Sequence, residues 1–427
     1  MVKTINDSKM SILIKNILLD DNRTDILIKG NRIATIAKNI LQQADQIIDG
    51  TNKAVFPGLV NGHTHAAMTF FRGYGDDLPL EEWLNTKIWP NEKNLTDEIV
   101  YWGTKLACLE MIKTGTTTFN DMYFRFKEAA RATDEMGIRG VFPQLMFDNL
   151  DPERGKIIQS QINYKDFESG YSKRIQFAIA PHAIYTVSGN SYKWAMDFAT
   201  EHNIIVHTHL AETQTEYQNS IKNFGLSPIR YLNNLGVLKP NLVIAHCLWL
   251  DDDEIKMLAD NDVKVVHNPN SNLKLASGHR FLYNEMQQKG ICIGLGTDGC
   301  SSSNNLDMIE AMKMMSLLQK GWRLDPTALP AAEAIKIATQ NGARILNINA
   351  GKIEEGRLAD MFMVNTNTPA FTPLNNNTAS NLVYAANGSH VDTVICDGKI
   401  IMKNRKIDGE EEIIKKANEL VSKLIKH

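Results

Sequence analysis

The chain has 427 residues, of which 43% are hydrophobic, 22% charged and 7% aromatic, with a formal net charge of −3. This composition belongs to a globular protein and excludes a disordered chain, a collagen-like repeat or a disulfide-stapled miniature. So small a net charge leaves no electrostatic footprint for nucleic acid or anionic lipid, and no apolar run of about 18 residues exists to cross a bilayer.

Residues 1–10 carry charge where a signal peptide needs an apolar stretch, so a cytoplasmic protein is expected. Residues 11–60 read as short strands with tight turns; 25–28 meets 32–36 across Lys29-Gly30-Asn31, a hairpin cue. Apolar runs at 55–60, 116–119, 140–145, 175–180, 204–206, 242–245, 263–266 and 291–295 then recur between longer stretches of mixed polarity. That alternation signals βα units, and eight parallel strands with intervening helices close into a (β/α)8 TIM barrel, an α/β fold. The Met-rich stretch 308–315 is expected to be helix core rather than a ligand groove.

Beyond the barrel, 358–364 reads as a strand, and 391–396 joins 399–402 through Asp397-Gly398, a type I′ hairpin cue. The two strand-rich ends predict one small β-sandwich built from residues 1–57 and 356–427, flanking a barrel of residues 58–355. Residues 411–426 place Ile413, Ala417, Leu420, Val421 and Leu424 at helical spacing. This amphipathic helix covers either the sandwich or a neighbouring subunit, so a homo-oligomer stays open. The five cysteines (Cys108, Cys247, Cys292, Cys300, Cys396) contain no CxxC pair and are expected to be small core residues in a reducing compartment.

The chemistry sits at the run ends. The first run is followed by His63-Thr64-His65, the fourth by His182 and the fifth by His207-Thr208-His209. The sixth ends at His246, the seventh at His267-Asn268 and the eighth at Thr297-Asp298. The carboxyl ends of barrel strands open onto one face, so these residues converge on one cavity. His63 and His65, two apart on a strand, point to the same side and can share an ion. Three imidazoles and one carboxylate are a familiar set for Zn²⁺, with Fe²⁺ or Mn²⁺ also suited. One such ion brings the pKa of a water it holds towards neutrality.

Pro57-Gly58-Leu59-Val60-Asn61-Gly62-His63-Thr64-His65 resembles the first-strand signature of the amidohydrolase superfamily. His209-Leu210-Ala211-Glu212, His246-Cys247, Gly296-Thr297-Asp298-Gly299 and the stretch 351–360 match its later stations in order. Within the superfamily the segments 65–73, 78–84 and 268–275 are most similar to the 5′-methylthioadenosine/S-adenosylhomocysteine deaminases. Guanine deaminases and triazine chlorohydrolases share several of these motifs, so another aminated or halogenated heterocycle remains the alternative substrate. Where binuclear members carry a carboxylated lysine, this chain has Ala180-Pro181-His182, which favours a single metal.

By this resemblance His63, His65, His209 and Asp298 are the metal ligands, and Asp298 also takes a proton from the water. Glu212 is the acid that protonates a purine ring nitrogen, and His246 orients the nucleophile and stabilises the developing charge. His182 and Glu92 contact the substrate, Glu92 through the ribose hydroxyls, and Arg154 is a candidate for the same role. The implied partner is a small nucleoside.

Each assignment has a structural rival. Glu92 sits in a charged stretch and Arg154 in an expected loop, either of which suits a surface residue. A second family arginine seen in relatives is replaced near Gln144. His207 and His267 lie one layer deeper than the site and are expected to pack in the core. His202, His279, His390 and His427 fall outside the strand ends and are expected at the surface. Trp83 offers either a face for the purine or a buried loop aromatic. A non-catalytic scaffold would have lost ligands or acid–base residues, whereas every station here is filled.

Overall fold

The computed structural model describes residues 10–425, apart from the side chains of residues 166 and 168. The first nine residues, Lys426 and His427 lie outside the described residues.

Among the described residues, sixteen strands form two sheets. In chain order they are β1 (Ser11–Leu19), β2 (Asn22–Lys29), β3 (Arg32–Ala37), β4 (Gln46–Asp49), β5 (Lys53–Pro57), β6 (Leu59–Thr64), β7 (Thr116–Asp121) and β8 (Arg139–Met146). They continue with β9 (Ile175–Pro181), β10 (Val206–Leu210), β11 (Leu242–His246), β12 (Lys264–His267), β13 (Ile293–Leu295), β14 (Met361–Asn365), β15 (Val391–Cys396) and β16 (Lys399–Met402).

β6 to β13 lie side by side in chain order, every adjacent pair parallel, with helices in the crossovers. These strands are buried along almost their whole length, as a sheet covered on both faces requires, which is why they read as continuous apolar runs. The barrel closes where Asp298 N–H donates to the His63 carbonyl at 3.0 Å. Backbones approach so closely there that a Cβ on Gly296 would stand 2.3 Å from Asn268 Oδ1 and 2.8 Å from the His63 oxygen.

The expected first run is divided. Residues up to Pro57 belong to β5, which pairs antiparallel with β14, and only from Leu59 does the chain join the barrel. Gly58 makes the crossing, since a Cβ there would fall 2.0 Å from Thr117 Oγ1. The fifth strand also runs later than 204–206, because β10 extends through the polar residues His207-Thr208-His209, which apolarity alone does not mark.

The second sheet is mostly antiparallel, in the order β16-β15-β14-β5-β1-β2-β3 with β4 beside β1. Strands from both chain ends share its core, in which Ile12, Ile14, Ile26, Ile28, Val55, Met361, Met363 and Ile395 are buried together. The β15–β16 turn has Asp397 at φ +51° and Gly398 at φ +73°, the two positive values of a type I′ turn. Arg139 at the start of β8 binds Asp360 through two nitrogens at 3.0 and 3.2 Å, and Asp397 at 3.1 Å, tying this sheet to the barrel.

The terminal helix runs Glu410–Leu424 and buries Ile413, Ala417, Leu420 and Leu424. It packs on the barrel helix Asp97–Lys113, where Lys113 pairs with Glu410 at 2.5 Å. Met308, Met312 and Met315 are buried in the helix Met308–Arg323, and the five cysteines are buried and free. No helix among the described residues is long and apolar enough to cross a membrane.

Candidate metal centre and substrate pocket

The barrel mouth gathers His63 on β6, His65 just beyond it, His209 on β10, His246 closing β11 and Asp298 after β13. Ring nitrogens of His63, His209 and His246 lie within 4.8 Å of one another, as do donor atoms of His63, His65 and Asp298. Asp298 Oδ1 stands 3.1 Å from His65 Nε2 and 3.4 Å from His63 Nε2.

The far nitrogen of each imidazole decides what the near one can do. His65 Nδ1–H donates to the Met122 carbonyl at 2.5 Å, His209 Nδ1–H to the His182 carbonyl at 3.0 Å, and His246 Nδ1–H to Asn272 Oδ1 at 2.8 Å. His63 is fixed through a relay. His207 Nδ1 faces the Val243 carbonyl at 3.2 Å and must carry its proton, so its Nε2, 2.8 Å from His63 Nδ1, accepts from that nitrogen. In its neutral form each of these rings therefore keeps an unprotonated Nε2, and His63 belongs both to the group with His209 and His246 and to the group with His65 and Asp298. His63 Nε2 is buried with no hydrogen-bond partner among the described residues, a costly arrangement unless a cation satisfies it.

Electrostatics agree. Burial pushes His63 down to about 4 and holds His209 well below the usual imidazole range, so both are neutral and able to ligate. Burial also acts to lower His65, but hydrogen bonding and the charge of Asp298 override it and raise His65 to about 9. Burial acts to raise Asp298, and the two imidazoles hold it well below the carboxylate range. A cation held here would displace the proton that His65 and Asp298 share. Ser271 Oγ donates to Asp298 Oδ2 at 2.6 Å and the Gly299 amide to Oδ1 at 2.8 Å, fixing the carboxylate.

Ala211, His246, Cys247 and Asp298 all have positive φ, from +55° to +75°. Non-glycine residues in that region cost on the order of 1 kcal/mol each and persist only where their surroundings hold them.

Glu212 is buried with Oε2 3.7 Å from His246 Nε2, and Ser277 Oγ donates to its Oε1 at 3.3 Å. Burial raises its pKa, against the pull of His246. His182 follows β9, with Nδ1 2.8 Å from Thr186 Oγ1 and its ring edge-on to His209. Glu92 arrives on a lid built after β6 from the helix Leu80–Trp83, the π-turn Leu84–Ile88 and the helix Trp89–Glu92. Glu92 is not at the surface but in the pocket beside Tyr123, and burial pushes its carboxyl up to about 7. Trp83, Ile88, Phe147 and Leu275 supply apolar wall around the polar groups.

Arg154 is the exception. It is exposed on the helix Pro152–Ser160 and does not reach the metal-facing groups. It lines an adjoining outer groove with Leu95, Leu145, Leu150 and Ile158, continuous with the inner pocket through Glu92, Phe147 and Tyr185. His207 and His267 are in the core as expected, His267 stacked on Phe281 at 4.0 Å. His279 is exposed, while His202 and His390 are half-buried, His202 against Phe198.

Residues 54–401 match the family model described as the amidohydrolase family. The chain belongs to the amidohydrolase family. As a member of that metal-dependent family it is a hydrolase acting on carbon–nitrogen bonds. It is 46% identical over 395 residues, 92% of this chain and 91% of the relative, to the 5′-deoxyadenosine deaminase of Methanothermobacter thermautotrophicus. It is 45% identical over 401 residues, 92% of this chain and 94% of the relative, to the 5-methylthioadenosine/S-adenosylhomocysteine deaminase of Thermococcus kodakarensis. A crystal structure of an adenosine deaminase from Xanthomonas campestris with bound zinc superposes with a TM-score of 0.89 at 30% identity, covering 97% of this chain and 98% of that one.

Several supporting residues escape a reading based on strand ends. Tyr123 beside Glu92 and Ser277 on Glu212 come from loops, and Ser271 on Asp298 and Asn272 on His246 from the short helix Pro269–Lys274, whose placement over the barrel mouth the sequence does not reveal. Glu216 is different. The spacing Thr213-x-x-Glu216 is a capping-box signature and was visible in the sequence.

Proposed function

We propose that this amidohydrolase is a metal-dependent deaminase of adenine nucleosides, replacing the ring amine by oxygen to give a hypoxanthine and ammonia. The observation that carries the reading is Glu212, a buried carboxyl disposed to hold a proton, beside the converging imidazoles, with Glu92 in the same pocket. Among nucleosides, those with an apolar or thioether 5′ substituent, 5′-deoxyadenosine, methylthioadenosine and S-adenosylhomocysteine, suit the apolar outer groove beyond Glu92.

His63, His65, His209 and Asp298 are the groups that would hold the cation, with Zn²⁺ the ion best suited to the set. When bound, the cation would supply a water that ionises near neutral pH. Asp298 accepts the proton that this water loses. Glu212 donates its proton to the ring nitrogen next to the amine-bearing carbon, which makes that carbon electrophilic. His246, anchored on Asn272, presents its Nε2 to the oxygen that adds. The amine then leaves as ammonia, taking from Asp298 the one proton it had accepted, while the proton left on the added oxygen returns to Glu212, so the ring keeps an oxo group and the proton on its nitrogen. Glu92 accepts hydrogen bonds from the ribose hydroxyls, and the lid excludes bulk water.

The test incubates zinc-loaded protein with 5′-deoxyadenosine, methylthioadenosine and S-adenosylhomocysteine, following ammonia and the adenine-to-hypoxanthine absorbance change. Turnover of at least one is expected; none on any adenine nucleoside refutes the reading. Glu92→Gln should raise KM for nucleosides while sparing any activity on free bases. Equal loss on both would favour a free-base substrate.

A further inference from the structure

Glu216 has no part in the chemistry above, yet its carboxylate is buried and fully engaged four residues beyond Glu212. Thr213 caps the helix Gln214–Phe224 by accepting the Glu216 amide at Oγ1, 3.0 Å away. In a capping box, the residue at the third helical position returns its side chain to the amide of the cap residue. Glu216 instead reaches past Thr213. Its Oε1 accepts the Ala211 amide at 3.0 Å and its Oε2 the Glu212 amide at 2.7 Å.

Those amides flank a strained turn, since Ala211 sits at φ +55° with a Cβ to accommodate. The Ala211 carbonyl is held from the other side by the amides of Leu248 and Trp249, at 2.8 and 3.0 Å. Glu216 is 7% exposed and does not line the pocket of the imidazoles; it borders the cavity behind Glu212. We infer that Glu216 is a positioning residue, whose two carboxylate oxygens lock the Ala211–Glu212 backbone and so aim the Glu212 carboxyl at the substrate. The inference rests on Glu212 being the acid of the proposed deamination.

The experiment compares zinc-loaded wild type with Glu216→Gln, which keeps size but turns an NH₂ group towards one of the two amides. We expect kcat to fall between about 10- and 100-fold, KM to stay within about twofold and zinc per chain to be unchanged. Hydrogen–deuterium exchange of a peptide spanning residues 208–215 should quicken. Adding Ala211→Gly to Glu216→Gln, which removes the left-handed strain, should recover thermal stability but not kcat. Unchanged kcat, unchanged exchange, loss of zinc, or recovery of kcat along with stability would each overturn the inference. Wild-type protein silent on every adenine nucleoside would defeat the proposed function instead, while the exchange comparison still decides whether Glu216 locks the turn.

Discussion

Four imidazoles at the barrel mouth each spend one nitrogen on a fixed acceptor, and that commitment makes the other nitrogen a lone-pair donor. The least direct case is His63, whose tautomer depends on the His207 relay to the Val243 carbonyl. His207→Leu should therefore weaken zinc binding by about 10- to 100-fold in competition with a chelator, while His207→Gln, which keeps an acceptor for His63, loses less. Glu212→Gln should leave one zinc per chain and lower kcat by roughly 10²- to 10⁴-fold, separating the acid from the ligands. Zinc loss in that variant would contradict the division. The Glu92 carboxyl, raised to about 7, is ionised above that pH and protonated below it. A protonated carboxyl accepts ribose hydroxyls less well, so nucleoside KM should climb as pH falls through 7, and Glu92→Gln should flatten that profile.

At the scale of elements, the functional groups ride on strand ends and on one irregular lid. Hairpins were legible because their turns are chemical: Asp397-Gly398 adopts the positive φ pair that its residues favour. The barrel strands were legible as buried runs, but their polar ends were not, so β10 was placed too early and β5 and β6 were merged. Glu92 lay in doubt because its position depends on the π-turn Leu84–Ile88, for which the local sequence carries no periodic signal. The terminal helix showed its apolar face without showing its partner, since amphipathicity names a stripe and not what it meets. Arg139 and Asp360, 4% and 1% exposed, join the two sheets through a bidentate pair. Arg139→Ala strands the Asp360 carboxylate and should cost about 3–5 kcal/mol in denaturant unfolding, with kcat per folded molecule retained.

For the whole molecule, closure of the barrel brings residues separated by more than 230 positions, such as Asn61 and Thr297 (2.7 Å) or His63 and Asp298 (3.4 Å), into contact. The ligand positions could be read because a barrel maps strand ends onto one face, which turns a one-dimensional pattern into a site. Arg154 could not be placed the same way, because it comes from a crossover helix whose reach depends on packing across the outer groove. Asn272 and Ser271 lay in the motif 268–275, but their partners His246 and Asp298 were not legible because the reach of the helix Pro269–Lys274 also depends on packing. The central claim, that this convergence exists to hold one catalytic cation, is tested most directly by titrating metal-stripped protein with Zn²⁺ while measuring 5′-deoxyadenosine deamination. The rate should rise in proportion to added metal and level off at one equivalent per chain; full activity in the stripped protein, or a plateau requiring two equivalents, would contradict it.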